Sequence, residues 1–179
     1  MTEVGNVYGG ALYELCRDEG VSDLVRGQLE TLQTCFRQEP DFTKLLATPS
    51  LPKVERCEIL ENSFRGNVHE YVLNFLKILT EKGYIRHFPE CCDAFFDRYN
   101  EENGILPVTV VTAAPLSQTQ SEKLRQKLDK ITGKRVTLRC RLDPTVLGGI
   151  RLDYDGQRLD DTVSHRLDAI RDTLRKTAL

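Results

Sequence analysis

Three histidines, His69, His87 and His165, are the side chains best suited to move protons near neutral pH. They fall on three separate stretches of helical pattern, with no obvious partner. Each could act as a general base, but a lone histidine on a helix surface is more often a bystander. The pair Gly148-Gly149 runs on into Ile150-Arg151 rather than into Lys-Ser or Lys-Thr, so it is not a phosphate-binding loop. Asp160-Asp161 offers two adjacent carboxylates, for which a helix N-cap at Asp160 is the simpler account. No dinucleotide fingerprint occurs. The expectation is a chain with no catalytic residues and no cofactor.

Metal chemistry fares no better. The six cysteines are Cys16, Cys35, Cys57, Cys91, Cys92 and Cys140, with no CxxC among them. His87 and Cys91 stand one helical turn apart and supply at most two ligands, with no second pair nearby. Adjacent Cys91 and Cys92 do not pair readily with each other. Residues 1–8 carry Glu3 and no hydrophobic stretch, so neither a signal peptide nor an Arg-rich transit sequence is expected. The thiols are therefore expected to be reduced, mostly buried and hydrophobic in role, and no metal is expected.

One arrangement could bind nucleic acid. Residues 135–142 alternate, with Val136, Leu138, Cys140 and Leu142 facing one way and Arg135, Thr137, Arg139 and Arg141 the other. The arginines could track phosphates. A sheet that reads single strands presents aromatic residues on that face, where Thr137 stands here, and the loop 132–135 lacks a GXXG clamp. A solvated strand face is the favoured reading, and a small basic RNA-binding module is the alternative.

The elements that must position these residues follow from composition and period. The chain has 179 residues, 40% hydrophobic and 29% charged, with a mean hydropathy of −0.39. That excludes wholesale disorder, and no apolar run nears the ~18 residues of a membrane span. The net charge of −2 conceals an asymmetry. Residues 1–104 hold 11 Lys and Arg against 18 Asp and Glu, whereas residues 105–179 hold 14 against 9. Opposite balances of −7 and +5 suggest two surfaces with different partners.

Residues 1–104 read as about six short helices. The first carries Val7, Ala11, Leu12 and Leu15 and stops at Gly20; the second carries Val21, Val25, Leu29, Leu32 and Phe36 and ends at Pro40. After a turn through Phe42, Leu45 and Leu46, Ser50 is a candidate N-cap for a helix through Val54, Cys57, Leu60 and Phe64, closed by Gly66. Asn67 and Glu70 suggest a capping box for a helix through Val68, Tyr71, Val72, Phe75, Leu76 and Leu79, ended by Gly83. A last helix has Pro89 in its first turn and Phe88, Cys92, Phe95 and Tyr99 on its stripe. The polar stretch 100–104 is the expected exposed hinge.

From Ile105 the period changes. Leu106 to Thr112 reads as a strand, with Pro107 marking an edge or a strand start. Ser117 and Gln120 cap a helix with Leu124, Leu128 and Ile131, and the strand 135–142 follows. Ile150, Leu152 and Tyr154 enter a hairpin at Asp155-Gly156, and a final helix carries Val163, Leu167, Ile170 and Leu174. The expected fold is an all-α six-helix bundle over 1–104 followed by a small α+β domain, β-α-β-β-α, over 105–179.

Four segments in order carry a family resemblance: Val7-Tyr8-Gly9-Gly10-Ala11-Leu12-Tyr13-Glu14-Leu15, Phe42 to Pro52, Asn74 to Leu79 with Gly83, and Val146-Leu147-Gly148-Gly149-Ile150-Arg151-Leu152 with Asp143 and Leu159-Asp160. Together the chain resembles the delta-subunit family of bacterial F-type ATP synthases, counterpart of the mitochondrial oligomycin-sensitivity-conferring protein. Gly9 stands where that family has alanine, which costs the first helix up to ~1 kcal/mol. Asp155-Gly156 inverts the usual Gly-Asp order, and Asp161 replaces a small residue.

The resemblance implies a non-catalytic stator subunit, one copy per complex, on the cytoplasmic face of the bacterial plasma membrane and reaching the membrane only through the complex. It implies that the helical domain binds the N-terminal helix of an alpha subunit between its first and fifth helices, through Tyr8, Ala11, Leu12, Leu15, Leu76, Ile78 and Leu79. It implies that the second domain holds the C-terminal end of the b subunit, for which Ile170, Arg171, Leu174 and Arg175 are the candidate contacts. No nucleic acid is expected as a partner.

Overall fold

The computed structural model describes residues 2–144, 146, 149–154 and 156–160. The chain divides into two compact units, with the boundary between Tyr99 and Asn100.

The first unit is helical. Before the first strand come α1 (Glu3–Asp18), α2 (Ser22–Gln38), α3 (Pro40–Leu46), α4 (Lys53–Phe64), α5 (Glu70–Lys82), a single 3-10 turn (Ile85–His87) and α6 (Phe88–Glu102). The Thr2 hydroxyl caps α1 by accepting from the Gly5 N–H at 3.3 Å. Pro40 opens α3 as well as ending α2, since its missing N–H would have been unpaired there anyway. Gly83, at φ 79°, closes α5 in the left-handed conformation.

Two expected caps are corrected. Ser50 lies in the turn before α4, and Pro52 occupies the cap position with no side-chain bond. Asn67 and Glu70 form no capping box at α5. The cap is His69, whose Nδ1 accepts from the Tyr71 N–H at 3.3 Å while its own N–H donates to Gln28 at 2.8 Å. Imidazole has an acceptor nitrogen in reach of the same orphan N–H, and Gln28 on α2 fixes the loop for it.

The core is aromatic at one end. The Phe36 ring centroid lies 4.8 Å from Phe88 and 5.6 Å from Phe42. Tyr13 meets Phe95 edge-on at 5.4 Å, and the Tyr99 hydroxyl donates to Asp23 at 2.5 Å. Buried Arg56 donates to the Leu46 carbonyl at 2.9 Å, tying α4 to the end of α3. Residues 100–102 of the expected hinge form the last turn of α6, and the boundary between the two units falls at Asn100.

Gly9 has a role its helix propensity hides. A Cβ there would stand 2.1 Å from the Cys91 carbonyl oxygen, and one on Gly5 would stand 3.0 Å from that of Glu90. The glycines let α1 approach the backbone of α6, an approach no side chain could make.

The second unit is a four-stranded sheet of order β2-β1-β3-β4 with one helix described: β1 (Ile105–Thr112), α7 (Gln118–Thr132), β2 (Arg135–Leu142), β3 (Ile150–Tyr154) and β4 (Gln157–Asp160). β1 runs parallel to β2 with α7 as the crossover, and antiparallel to β3. β1 is thus a central strand. Pro107 sits where only β2 flanks it, because β3 pairs from Thr109 onward. Ser117 and Gln120 form the expected capping box. Leu106, Val108, Val110, Val136 and Leu152 make the core, with Leu124 and Leu128 packed against it.

Two apolar patterns are not buried as expected. Ile131 is 79% exposed, because the last turn of α7 runs past the sheet core. Of the alternating set on β2, Val136 alone is fully buried; Cys140 and Leu142 are exposed, as the outer end of an edge strand allows. The final helix expected over 161–176, with His165, lies outside the described residues.

Candidate partner-binding surfaces

The first helix does not bury the stripe its apolar residues suggest. Its inward face is Gly5, Gly9, Gly10, Leu12, Tyr13 and Cys16. Val7 and Leu15 are 60% and 44% exposed, and Ala11 between them is exposed as well. These three recur every fourth residue, so they form one row along the outside of α1.

α5 packs beside α1. The Tyr8 ring lies 5.8 Å from Tyr84, just beyond the end of α5. Burial and then the Glu19 and Glu70 carboxylates push the Tyr71 phenol above its usual range. Ile78 lies on α5 between Tyr71 and Tyr84. Ile78 is 44% exposed. It stays outside because Phe75, Leu76 and Leu79 already occupy the core face, while Lys77 and Glu81 turn toward α4, bonding to Glu61 and Cys57.

The candidate contacts thus divide. Ala11, Leu15 and Ile78 are exposed, and Tyr8 is half-buried. Leu12, Leu76 and Leu79 lie in the core, from which they can hold up a surface but not touch a partner. Two residues join the exposed set. Val7 was concealed by being counted into a core stripe, and Tyr84 by lying past the helix end. These side chains leave apolar surface exposed on α1 and at α5, of a chemistry suited to an amphipathic helix.

The remaining candidates are spread apart. His87 Nδ1 lies 3.6 Å from Glu90, and His69 is the cap of α5. The thiols are not poised for chemistry: burial pushes Cys16 and Cys91 up to about 11 and Cys92 well above the usual thiol range. Among the described residues no three His, Cys, Asp or Glu side chains converge as a metal site would require. No described helix is long and apolar enough to cross a membrane. Ile170, Arg171, Leu174 and Arg175 lie outside the described residues.

Comparison with known proteins finds a family that matches nearly the whole chain. A family model described as ATP synthase delta (OSCP) subunit matches residues 4–174. The ATP synthase subunit delta of Alkaliphilus oremlandii is 29% identical over 173 residues, 97% of this chain and 96% of that protein. Its counterpart in Carboxydothermus hydrogenoformans is 31% identical over 164 residues, covering 92% of each. The fold is similar to that of a chain in the cryo-EM structure of the Toxoplasma gondii mitochondrial ATP synthase hexamer. The TM-score is 0.77 at 22% identity, over 97% of this chain and 98% of that one. With a match that runs through both units, the chain belongs to the ATP synthase delta (OSCP) subunit family.

Proposed function

We propose that this chain is a non-catalytic stator subunit of an F-type ATP synthase, joining the catalytic head to the membrane-anchored peripheral stalk so that the head does not turn with the rotor. In this reading residues 1–104 are a six-helix bundle that takes the N-terminal helix of an alpha subunit along α1 and α5. Residues 105–179 are the β-α-β-β-α domain that holds the C-terminal end of the b subunit, through Ile170 and Leu174 with Arg171 and Arg175 orienting it. The chain then sits once per complex on the cytoplasmic face of the bacterial plasma membrane. Joining two contacts in one chain raises the effective concentration of each for its partner, so neither has to be extremely tight alone.

The observation that carries the head contact is the exposed apolar row Val7, Ala11 and Leu15 on α1 together with exposed Ile78 on α5, the helix packed beside it. An aliphatic side chain held out of a well-filled core has burial to gain only from a partner. The test is calorimetry of an alpha-subunit N-terminal peptide against the full chain and its Ile78→Asp variant. The substitution is expected to weaken binding at least tenfold, about 1.4 kcal/mol, without lowering the melting temperature. Unchanged affinity in the folded variant removes Ile78 from the contact.

A further inference from the structure

The arginine row of β2 plays no part in the head contact, and the sheet gives it a setting of its own. Among the described residues β2 pairs with β1 alone, so one long side of it is open. In a parallel ladder a residue sends its N–H and C=O to the same side. The Arg135 N–H donates to the Gly104 carbonyl at 2.8 Å and the Asp143 N–H to the Thr112 carbonyl at 3.0 Å, so the odd-numbered residues bond inward. The even-numbered ones face out. Asp129 accepts from the Val136 N–H at 2.7 Å and closes the start of this edge. Leu138, Cys140 and Leu142 follow, and no described residue pairs with their outward donors and acceptors.

The side chains are divided as sharply. The register sets Arg139 beside Thr109 and Asp153, and Arg141 beside Val111 and Arg151, on one face of the sheet. There Asp153 takes both Arg151, at 3.5 Å, and Arg158, at 3.0 Å. Arg135, Arg139 and Arg141 are exposed, and no described carboxylate pairs with them. On the opposite face Cys140 is exposed and Leu142 is 56% exposed. Among the described residues, an open backbone edge, an unneutralised cationic row and an exposed apolar row thus coincide on five residues.

We propose that the outer edge of β2, from Leu138 to Leu142, accepts an extended acidic segment of another protein as an added strand, one in which carboxylates alternate with apolar residues. Alternate side chains on a strand stand roughly 7 Å apart, the same repeat that separates Arg139 from Arg141. The carboxylates would meet the two arginines while the apolar residues cover Cys140 and Leu142. Main-chain bonds supply affinity and the alternating side chains supply specificity. A second copy of this strand fits poorly, because self-pairing sets arginine against arginine. Single-stranded RNA also fits poorly, because the residues that share the arginine face on the other strands include no aromatic ring for bases to stack on. The inference uses none of the residues assigned to the head or stalk contacts and stands apart from that reading.

The test titrates the full chain with a heptapeptide alternating Glu and Val, followed by backbone amide NMR. Shifts and exchange protection are expected at the amides of Leu138, Cys140 and Leu142. Three controls accompany it: the peptide N-methylated on the backbone amides of one edge, the peptide with Lys in place of Glu, and a single-stranded oligouridine. N-methylation is expected to weaken binding at least tenfold, as is the R139E/R141E protein, and the Lys peptide and oligouridine are expected not to bind. The N-methyl arm leaves the protein untouched, so a folding defect in the variant cannot decide the outcome. Absence of binding at millimolar Glu-Val peptide, equal binding of the N-methylated or Lys peptide, an unaffected R139E/R141E variant, or oligouridine binding of comparable strength would each overturn the proposal.

Discussion

α6 and α7 are both 15 residues long, yet α6 buries six of its residues and α7 none. Composition accounts for part of this: α6 carries Phe88, Phe95 and Tyr99, whereas α7 has Leu124, Leu128 and Ile131 among charged and amide neighbours. Surroundings account for the rest. α6 meets the glycine face of α1 on one side, and Gln33 of α2 reaches its Asp93 at 3.1 Å on another. α7 rests on one face of a narrow sheet, and its described contacts leave Leu124 and Leu128 only half-covered. A helix enclosed by others is specified by packing and keeps little apolar surface to offer a partner. A helix on a small sheet, beside an open edge strand, keeps surface that another chain can cover.

The contrast predicts very different responses to truncation. Phe88→Ala empties a fully buried site in the aromatic cluster and is expected to cost about 3–5 kcal/mol, seen as a much lower urea midpoint. Ile131→Ala, at the far end of α7, is expected to change stability by less than about 0.5 kcal/mol. A large loss at Ile131 would mean that α7 is packed in a way its exposure does not reveal.

Gly9→Ala tests whether the closeness of α1 and α6 is required. Helix propensity alone favours alanine by about 1 kcal/mol. The new Cβ would meet the backbone oxygen of Cys91, which cannot swing aside as a side chain would. The clash is expected to win, giving a net loss of about 1–3 kcal/mol in thermal or urea melts. A stabilised variant would show that the seam can open without cost.

A further expected effect is alkaline. Burial raises Cys16 and Cys91 from 9.0 to about 11, so the folded state favours the protonated thiols. Their contribution is present in full below pH 9.0 and is lost as pH rises through about 11. Urea midpoints followed at 222 nm are expected to hold steady to about pH 9 and then fall, while a thiol reagent at pH 8 modifies exposed Cys35 and Cys140 first. Rapid modification of Cys16 or Cys91 in the folded chain would contradict the sealed core of the first unit.

Much of this molecule was legible before any coordinates. Gly20, Gly83 and Gly133 close helices where expected, Ser117 and Gln120 cap α7, and the change of period falls at Ile105. Each is a local effect, in which the residue and its near neighbours decide backbone geometry. The errors share the opposite character. His69 replaced Asn67 as a cap because Gln28, 41 residues away in sequence, holds its backbone. Leu12, Leu76 and Leu79 were assigned to a partner contact yet lie in the core, because apolar spacing does not say which face the rest of the unit will cover.

By itself, then, the sequence determined the class of each element, its ends and the absence of a recognisable reaction motif, since propensity, capping and periodicity act over a few residues. Only the tertiary structure decided that glycines would line the buried side of α1 and that, among the described residues, β2 would lie at an edge with no carboxylate paired to its arginines. Burial and strand order depend on contacts between residues distant in the chain, and hydrophobic burial, being non-directional, does not specify them from composition alone.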